Sequence, residues 1–456
     1  MAFEINTTVE IDSDNLDFYS IILIAQDYLV KGYSELFNEK GLYADSEEAD
    51  VARKNKILNS ITKFVMNKKI TFPGMTEREI IDKLFDEMVN YSILTKYIED
   101  KNNEIEEINV NAWNDVEVRY SNGDVKKVES FYNIDHAKNI IERLVTMTKG
   151  QLDSAMPMSE GDLRNNVRLV VVSNPIVDKD VGVAASIRLL KPQMMNRKFF
   201  IESGTISEEA LLFLETAIKS GVSMVFVGET GSGKTTLMNY LLTTIPDHKR
   251  IVTIEHNARE LSLVKKDKNG KPINNVVHMK TRPHENEKYN ISQEDLVLKA
   301  LRLDPNVIGV GEMRDSEAYA AQEASLTGHT VVTSLHAAGI SATHYRIAML
   351  ALKKYPIDIS VALLQAAMAF PVIVYINKLE DNSRKVMEIA ECELLEDGNN
   401  MIRVYSTLYE YDVKNSKRIG DKMMITGEHV KKCKVSDSLR KTMVLHGAPL
   451  NDLDKF

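Results

Sequence analysis

Cysteine is nearly absent from this sequence of 456 residues, which contains only Cys392 and Cys433. Two widely separated cysteines cannot build a disulfide framework or a four-cysteine zinc site. Such sparse use of cysteine is typical of proteins that stay reduced. We therefore expect a cytoplasmic protein.

Glycine (21 residues) and proline (11 residues) are also sparse, which excludes collagen-like and low-complexity chains. No apolar run approaches the length of about 18 residues that a membrane-spanning helix needs. The first residues are acidic rather than basic and do not have the pattern of a signal peptide. We find no internal repeat with a period of about 20–50 residues, which argues against a solenoid.

An excess of positive charge is missing as well, because 57 Lys and Arg against 66 Asp and Glu give a formal net charge of −9. The chain has one tryptophan, and no basic stripe stands out. Proteins that bind a nucleic-acid strand need a basic path along their surface, often with aromatic side chains. Nucleic acid is therefore not expected as a direct ligand. The composition otherwise is that of a soluble globular protein, 44% hydrophobic and 27% charged.

The length predicts about two to three domains, and the texture of the sequence changes along the chain. Residues 1–98 show helical periodicity and are predicted to form a helical N-terminal extension. Residues 99–191 mix short β-like runs with one helical segment, which indicates an α+β domain. Residues 192–200 are predicted to be a linker. Residues 201–456 are predicted to form an α/β domain with a C-terminal β and helical tail.

The α/β prediction depends on a strict alternation of strand-like and helical segments. We expect strands at 224–227, 251–255, 306–310, 330–335 and 372–376. The helices between them are expected at 235–244, 293–303, 316–326 and 342–353. This alternation is typical of a mostly parallel sheet covered on both faces.

A glycine-rich segment follows the first of these strands and matches the pattern G-x-x-x-x-G-K-[ST]. It consists of Gly228, Glu229, Thr230, Gly231, Ser232, Gly233, Lys234 and Thr235, with Thr236 next in the chain. In such a loop the backbone N–H groups and the helix N-terminus converge on phosphate oxygens. Lys234 would reach the outer phosphates, and the Thr235 hydroxyl would ligate Mg²⁺. A turn that only meets steric needs is the alternative, but the strand before it and the helix after it favour a nucleotide loop.

Other strands of the predicted sheet end in groups suited to phosphate chemistry. Glu312 closes an apolar strand and could polarise a water, and Glu255 closes another. His329 precedes the strand at 330–335, and His336 follows it. Ligands bind at the carboxyl ends of strands in open α/β sheets, so the carboxylates are candidate site residues. Each of them could also be a solvated side chain at a strand end.

Taken in order, these segments resemble four boxes of the secretion-superfamily ATPases, the hexameric motors of type II and type IV secretion, pili and conjugation. The boxes are the phosphate loop, Thr253-Ile254-Glu255, residues 308–314 and Thr327-Gly328-His329. The resemblance covers roughly residues 100–450 and is nearest to the tight-adherence pilus and conjugation branch. It implies a RecA-like P-loop domain, with ATP and Mg²⁺ as cofactors.

The resemblance also implies roles for individual residues. Lys234 and Thr235 would hold phosphate and Mg²⁺, and Glu312 would activate the attacking water. Glu255 would support the metal and the water, and His329 would lie near the γ-phosphate.

The N-terminal domain of such motors lends arginines to the nucleotide, and Arg168 and Arg188 are the candidates here. A surface ion pair is the alternative for each of them. The resemblance further implies a homo-hexamer, peripheral at the inner face of the cytoplasmic membrane and docked on an inner-membrane platform.

Two departures from the family pattern affect these expectations. The acidic box commonly reads Glu-Asp, whereas here it is Glu255-His256. A large apolar residue is usual where Gly309 stands, which predicts looser packing of that strand. Two other functions remain open on sequence grounds: a DNA translocase or helicase, and a nucleotide-binding regulatory protein with little turnover.

Overall fold

The computed structural model of this chain divides into two compact units, Met1–Lys191 and Pro192–Phe456. It describes residues 17–33, 47–100, 102, 104–148, 150–163, 167–189, 195–256, 260–284, 286–398, 400–420 and 422–456. The first part of the predicted linker, 192–194, lies outside the described residues. The predicted domain limits at residues 98 and 200 stay predictions.

The first unit begins with helices that pack on one another. They are α1 (Phe18–Tyr33), α2 (Glu47–Lys68), α3 (Glu77–Met88) and the short α4 (Thr95–Ile98). Helix α3 starts at a capping box, because the Thr76 side chain accepts the Glu79 N–H and the Glu79 carboxylate accepts the Thr76 N–H. Fully buried Ile22, Phe64 and Leu84 bring α1, α2 and α3 into one core.

A six-stranded sheet completes this unit. Its strands are β1 (Ile105–Ala112), β2 (Asp115–Tyr120), β3 (Val125–Lys127), β4 (Met158–Leu163), β5 (Val167–Ser173) and β6 (Val183–Leu189). They lie in the order β3-β2-β1-β6-β5-β4, with every neighbouring pair antiparallel. Helix α5 (Ile134–Met147) contributes its apolar side, including Ile140, Ile141 and Leu144, to the core of this sheet.

The second unit is built on a nine-stranded sheet. Its strands are β7 (Met224–Val227), β8 (Ile251–Glu255), β9 (Val276–Lys280), β10 (Val307–Val310), β11 (Thr330–Leu335), β12 (Val372–Lys378), β13 (Arg384–Asp397), β14 (Asn400–Ile419) and β15 (Lys422–Lys431). Their order is β15-β14-β13-β12-β7-β11-β10-β8-β9. Strands β12, β7, β11, β10, β8 and β9 run parallel, whereas β13, β14 and β15 continue the sheet in antiparallel hairpins.

Helices cover both faces of this sheet, as the sequence predicts. They are α6 (Arg197–Glu202), α7 (Glu208–Lys219), α8 (Lys234–Thr243), α9 (Gln293–Ala300), α10 (Glu317–Leu326), α11 (Ile340–Leu352), α12 (Ile359–Ala369), α13 (Asp437–Leu445) and α14 (Leu450–Leu453). Strand β7 shows the layering, because Met224 and Phe226 face one core while Val225 and Val227 face the other. A strand buried on both faces reads as a continuous apolar run.

Some elements of the second unit were not predicted from the sequence. They are strand β9 and helices α7 and α12, and α6 occupies part of the predicted linker. The predicted C-terminal tail supplies strands β13–β15, which extend the sheet. Val386, Ile389 and Leu408 of these strands are buried in the same core as β7. Strand β9 lies at the edge of the sheet and none of its residues is buried, so it lacks the apolar run that predicted the central strands.

Candidate phosphate site at the carboxyl edge of the sheet

The strand register determines which candidate residues meet. Val227 of β7 pairs with Leu335 of β11, so the next residues, Gly228 and His336, lie side by side. Val310 of β10 pairs with Thr333 of β11, which brings Glu312 to the same edge. Four parallel strands, β7, β8, β10 and β11, therefore deliver the phosphate loop, two carboxylates and one histidine to a single edge of the sheet.

The phosphate loop joins β7 to α8, and its glycines are required by its geometry. Gly228 has φ +144°, and a Cβ there would lie 1.9 Å from the Ile376 carbonyl oxygen of β12. Gly233 has φ +97° and caps α8, which begins at Lys234. Only glycine adopts these conformations without strain. The loop is thus held closely against β12 and opens a helix of ten residues.

Lys234 is buried, with 6% of its surface exposed. Its Nζ donates to the carbonyl oxygens of Gly228 at 2.9 Å and Glu229 at 2.7 Å. These contacts place the ammonium group inside the loop. Phosphate oxygens are stronger partners for an ammonium than carbonyl oxygens, because their hydrogen bonds are charge-assisted.

Glu312 connects to the loop through His336. One carboxylate oxygen of Glu312 lies 3.2 Å from His336 Nε2, and the other accepts from Arg314 Nη2 at 2.7 Å. His336 Nδ1 lies 3.1 Å from the Gly228 carbonyl oxygen. Both contacts of the ring can be hydrogen bonds at once only if it carries both protons. The Gln293 amide donates to the backbone oxygen of Glu312 at 3.0 Å, which fixes the start of the segment after β10.

The pKa of Glu312 is set by opposing effects. Burial raises this pKa. The hydrogen bond and charge of Arg314, together with the charges of His336 and Lys234, lower it by more than burial raises it. The pKa of this carboxyl therefore lies below its ordinary value, and Glu312 is ionised at neutral pH.

Glu255 is 3% exposed and, because Ile254 pairs with Val310, lies beside Gly311, the residue before Glu312. One of its oxygens accepts the backbone N–H groups of Glu260 at 2.7 Å and Leu261 at 2.8 Å. A Cβ at Gly311 would lie 3.2 Å from Glu255 Cγ, so glycine at 311 lets the two strand ends approach. Glu255 thus organises the segment after β8. His256 is exposed, and its ring lies 3.3 Å from the Thr281 hydroxyl.

The looser packing predicted at Gly309 is wrong. This glycine lies in a fully buried strand, and a Cβ there would meet Leu242 at 3.3 Å, Thr253 at 3.6 Å and Leu261 at 3.8 Å. Neighbouring side chains occupy the space that a larger residue would fill. Glycine in place of the usual large apolar residue therefore leaves no gap, because these neighbouring side chains fill the core.

The residues of the loop fit a nucleotide with Mg²⁺. The Ser232 hydroxyl is buried and has no hydrogen-bond partner within the described part of the chain, so a phosphate oxygen would satisfy it. Thr235, half-buried at the second position of α8, is the hydroxyl available to a metal. The described residues contain no group of three or more His, Cys, Asp or Glu side chains that could hold a metal ion. Thr235 would hold Mg²⁺ together with phosphate oxygens and waters.

Other sequence-predicted residues are not brought to the loop. His329 precedes the first residue of β11, at the edge opposite to His336, and its Nδ1 lies 3.3 Å from the Ala324 carbonyl oxygen. A strand of six residues separates the two histidines by about 20 Å. Within this unit the structure therefore places His336 at the loop and His329 away from it.

Arg168 and Arg188 belong to the first unit, where they form a direct cross-strand pair on β5 and β6. Arg188 is exposed, and Arg168 Nε lies 3.9 Å from the Asp162 carboxylate. Like charges directly opposite each other on a sheet repel. On the face of the sheet that α5 does not cover, the pair lies between two carboxylates, because Asp162 is the register partner of Arg168 and Glu107 is that of Arg188.

Sequence reasoning passed over the residues that connect the motifs. Arg314, Gln293 and Arg384 each contact a motif residue, and His336 lies between Glu312 and the loop. Arg314 lies two positions after Glu312, and this short spacing was an available signal. Gln293 and Arg384 come from segments distant in sequence from the motifs they contact, and no pattern in the sequence indicated these contacts.

The model for type II/IV secretion system proteins matches residues 91–419. The chain belongs to this family. The match spans about half of the first compact unit and most of the second, and it confirms both the resemblance and the RecA-like P-loop fold predicted from the sequence. It also makes nucleotide binding a property expected of the loop described above.

Relatives of this family member are known in archaea and bacteria. Uncharacterized protein MJ0900 of Methanocaldococcus jannaschii is 31% identical over 207 residues, 45% of this chain and 35% of that protein. The type IV secretion system protein PtlH of Bordetella pertussis is 33% identical over 184 residues, 39% of this chain and 52% of that protein. The chain thus spans about a third to a half of the length of these relatives.

A solved structure, the ATPase DotB of Legionella pneumophila, is 20% identical, with a TM-score of 0.44, over 65% of this chain and 78% of that one. The family assignment does not depend on so distant a likeness. None of the helices in the described ranges is long and apolar enough to cross a membrane.

Proposed function

We propose that this secretion family protein is a motor that hydrolyses Mg-ATP to power a type II or type IV secretion, pilus-assembly or conjugative-transfer machine. The observation that carries the proposal is one chain of contacts. Lys234 and His336 both touch the Gly228 carbonyl, and His336 touches Glu312. A phosphate-binding lysine and an ionised carboxylate are thereby joined at one edge of the sheet.

The residues divide the work of hydrolysis. Lys234 turns from the loop carbonyls to the outer phosphates of ATP, and the loop N–H groups bind their oxygens. Mg²⁺, held by Thr235 and the phosphates, would neutralise charge on the β- and γ-phosphate oxygens. Glu312 orients the attacking water and accepts its proton, because it is ionised at neutral pH. His336 holds Glu312 against the loop, and Glu255 supports the neighbouring strand end.

The first unit supplies cations in this proposal. Arg168 and Arg188 are neighbouring cations on β5 and β6, and in this proposal they stabilise charge on the transferring phosphoryl group. The chain would assemble with itself, as a homo-hexamer, and dock on a membrane platform at the inner face of the cytoplasmic membrane. The family assignment supports both partners.

The test is steady-state ATP hydrolysis by the full chain and by Glu312→Gln. Gln keeps the size of the side chain but cannot accept a proton from water. We expect kcat to fall on the order of 10²–10⁴-fold while Mg-ADP binding persists. Lys234→Ala should lose nucleotide binding itself.

Glu396→Gln is the matched control, because Glu396 is exposed near the end of β13. It should hydrolyse ATP as the wild type does. A wild-type chain that binds Mg-ADP but turns over no faster than Glu312→Gln, also after assembly into its oligomer, would contradict the motor and favour a regulatory protein.

A further inference from the structure

The phosphate loop has a second neighbour that no motif predicts, the hairpin of β12 and β13. Strand β7 lies between β11 and β12, so the loop after β7 is flanked on both sides. Tyr375 of β12 pairs with Val227, and Lys378 pairs with Arg384 of β13. The hairpin therefore projects past the carboxyl edge of the sheet and runs alongside the loop.

Arg384 is the point of contact. Its Nε donates to the Gly231 carbonyl oxygen at 2.9 Å. A Cβ at Gly233 would lie 3.4 Å from Arg384 Cδ, so the aliphatic stem packs along the loop as well. Gly231 has φ +76°, and a Cβ at this position would meet nothing within 4 Å in the described structure. The Gly231 end of the Gly231–Ser232 peptide is therefore open, and the hydrogen bond from Arg384 holds its carbonyl group.

The orientation of one peptide unit shows what this bond controls. In a trans peptide the C=O and the following N–H point in opposite directions. Because Arg384 holds the Gly231 C=O on its own side, the Ser232 N–H points to the other side. There it donates to the Glu229 carbonyl oxygen at 3.3 Å, and Lys234 donates to the same oxygen. That is the interior of the loop, where N–H groups bind phosphate oxygens.

The hairpin is itself anchored, so Arg384 starts from a fixed place. The Asp381 carboxylate accepts the Ser383 N–H at 2.9 Å and the Ile425 N–H of β15 at 3.1 Å. Lys385, the next residue along β13, is buried and donates to the Gly204 carbonyl oxygen at 2.7 Å. The side chain of Arg384 therefore reaches the loop from a rigid strand end.

We propose that Arg384 is a positioning residue of the nucleotide site, which orients the Gly231–Ser232 peptide so that its N–H is presented to phosphate. The inference rests on the proposed function, since it concerns the same loop. It makes the β12–β13 hairpin a part of the site. Glu312 lies on the other side of β7, so Arg384 acts on binding rather than on proton transfer.

The experiment compares Arg384→Met with Arg384→Gln in the full chain. Gln carries an N–H donor at the same number of bonds from Cα as Arg Nε, whereas Met has the same length and no donor. Loss of one hydrogen bond of ordinary strength predicts about fivefold weaker binding of Mg-ADP for Met, with a matching rise in KM for ATP. We expect kcat to stay within about twofold and Gln to restore binding to within about twofold.

Arg418→Met is the control, because Arg418 is an exposed arginine of β14 in the same sheet. It should bind as the wild type does. Wild-type affinity in Arg384→Met would overturn the inference, and so would Arg384→Gln binding as weakly as Met, because the guanidinium charge would then be responsible. If the wild type binds Mg-ADP and either of these results is found for the variants, only this inference is contradicted. If the wild type itself binds no Mg-ADP, the proposed function is contradicted.

Discussion

The Gly228 carbonyl oxygen accepts two cationic side chains, Lys234 at 2.9 Å and His336 at 3.1 Å when its ring is protonated. A phosphate that attracts Lys234 removes one of these partners and leaves the other. The arrival of nucleotide would therefore change the surroundings of His336 and, through its 3.2 Å contact, those of Glu312. At the scale of residues, a single carbonyl links phosphate binding to the carboxylate.

The ionisation of Glu312 gives a pH-dependent prediction. Burial raises its pKa, and Arg314 is the largest influence that lowers it, so the net pKa is below the ordinary value. The carboxylate then stays charged at a lower pH than an ordinary glutamate does. In Arg314→Met the pKa should rise, and the acid-side fall of kcat/KM should move to higher pH. The pH profiles of both proteins measure this shift.

Lys353→Met is a suitable control for this measurement. Lys353 is an exposed cation paired with Asp315 at 3.2 Å, close to Arg314 in the fold but not in contact with Glu312. Its acid limb should coincide with that of the wild type. Coincident limbs in all three proteins would mean that Arg314 does not tune the carboxylate.

At the scale of elements, the antiparallel strands β13–β15 belong to the same core as the parallel strands. Leu408 and Tyr409 of β14 are buried with Phe213 of α7, whose ring centroid lies 6.0 Å from that of Tyr409. The hairpins therefore share a core with the sheet that carries the phosphate loop, and we expect them to contribute to its stability.

Substitutions on β14 test this role. Leu408 is 1% exposed and Ile419, on the same strand, is 63% exposed. Leu408→Ala should lower the free energy of unfolding by about 2–5 kcal/mol, because it leaves a cavity. Ile419→Ala should cost less than about 1 kcal/mol. Thermal unfolding measures both, in the transition that Mg-ADP shifts, which belongs to the nucleotide-binding unit. Equal losses would mean that β14 is not integral to the core.

At the scale of the whole molecule, the candidate groups are divided between two compact units. The phosphate loop and the carboxylates lie in Pro192–Phe456, whereas Arg168 and Arg188 lie in Met1–Lys191. Each unit has its own buried core. A catalytic role of the arginines would therefore require both units, and in a ring it could draw on two copies of the chain.

Removing the arginines separates binding from turnover. Arg168→Ala and Arg188→Ala should each keep Mg-ADP binding and lower kcat, by on the order of 10³-fold where the residue acts as an arginine finger. Arg119→Ala is the control, because Arg119 lies on the same sheet and pairs with Glu107 at 3.1 Å. The mass in solution with Mg-ATP should approach six subunits in all of them. Unchanged kcat in both variants would mean that Arg168 and Arg188 have no catalytic role.

The sequence by itself determined the parts of this protein that are local. The phosphate loop, Gly228–Thr235, and the strand ends at Glu255 and Glu312 were predictable because each lies within a few residues of its own signal. The mostly parallel α/β sheet followed from the alternation of strands and helices, and its RecA-like form was implied by the resemblance to the secretion ATPases. The tertiary structure decided which of these parts meet.

His336 rather than His329 reaches the loop because β11 runs parallel to β7 in a particular register, and a strand separates its two ends. Gln293 and Arg384 join the site because strand order brings distant segments to one edge. Strands β13–β15 extend the sheet because β12 offers them a free side for pairing. Strands pair through backbone hydrogen bonds, which residues of almost any type can form. The sequence therefore gives little information on which strands pair.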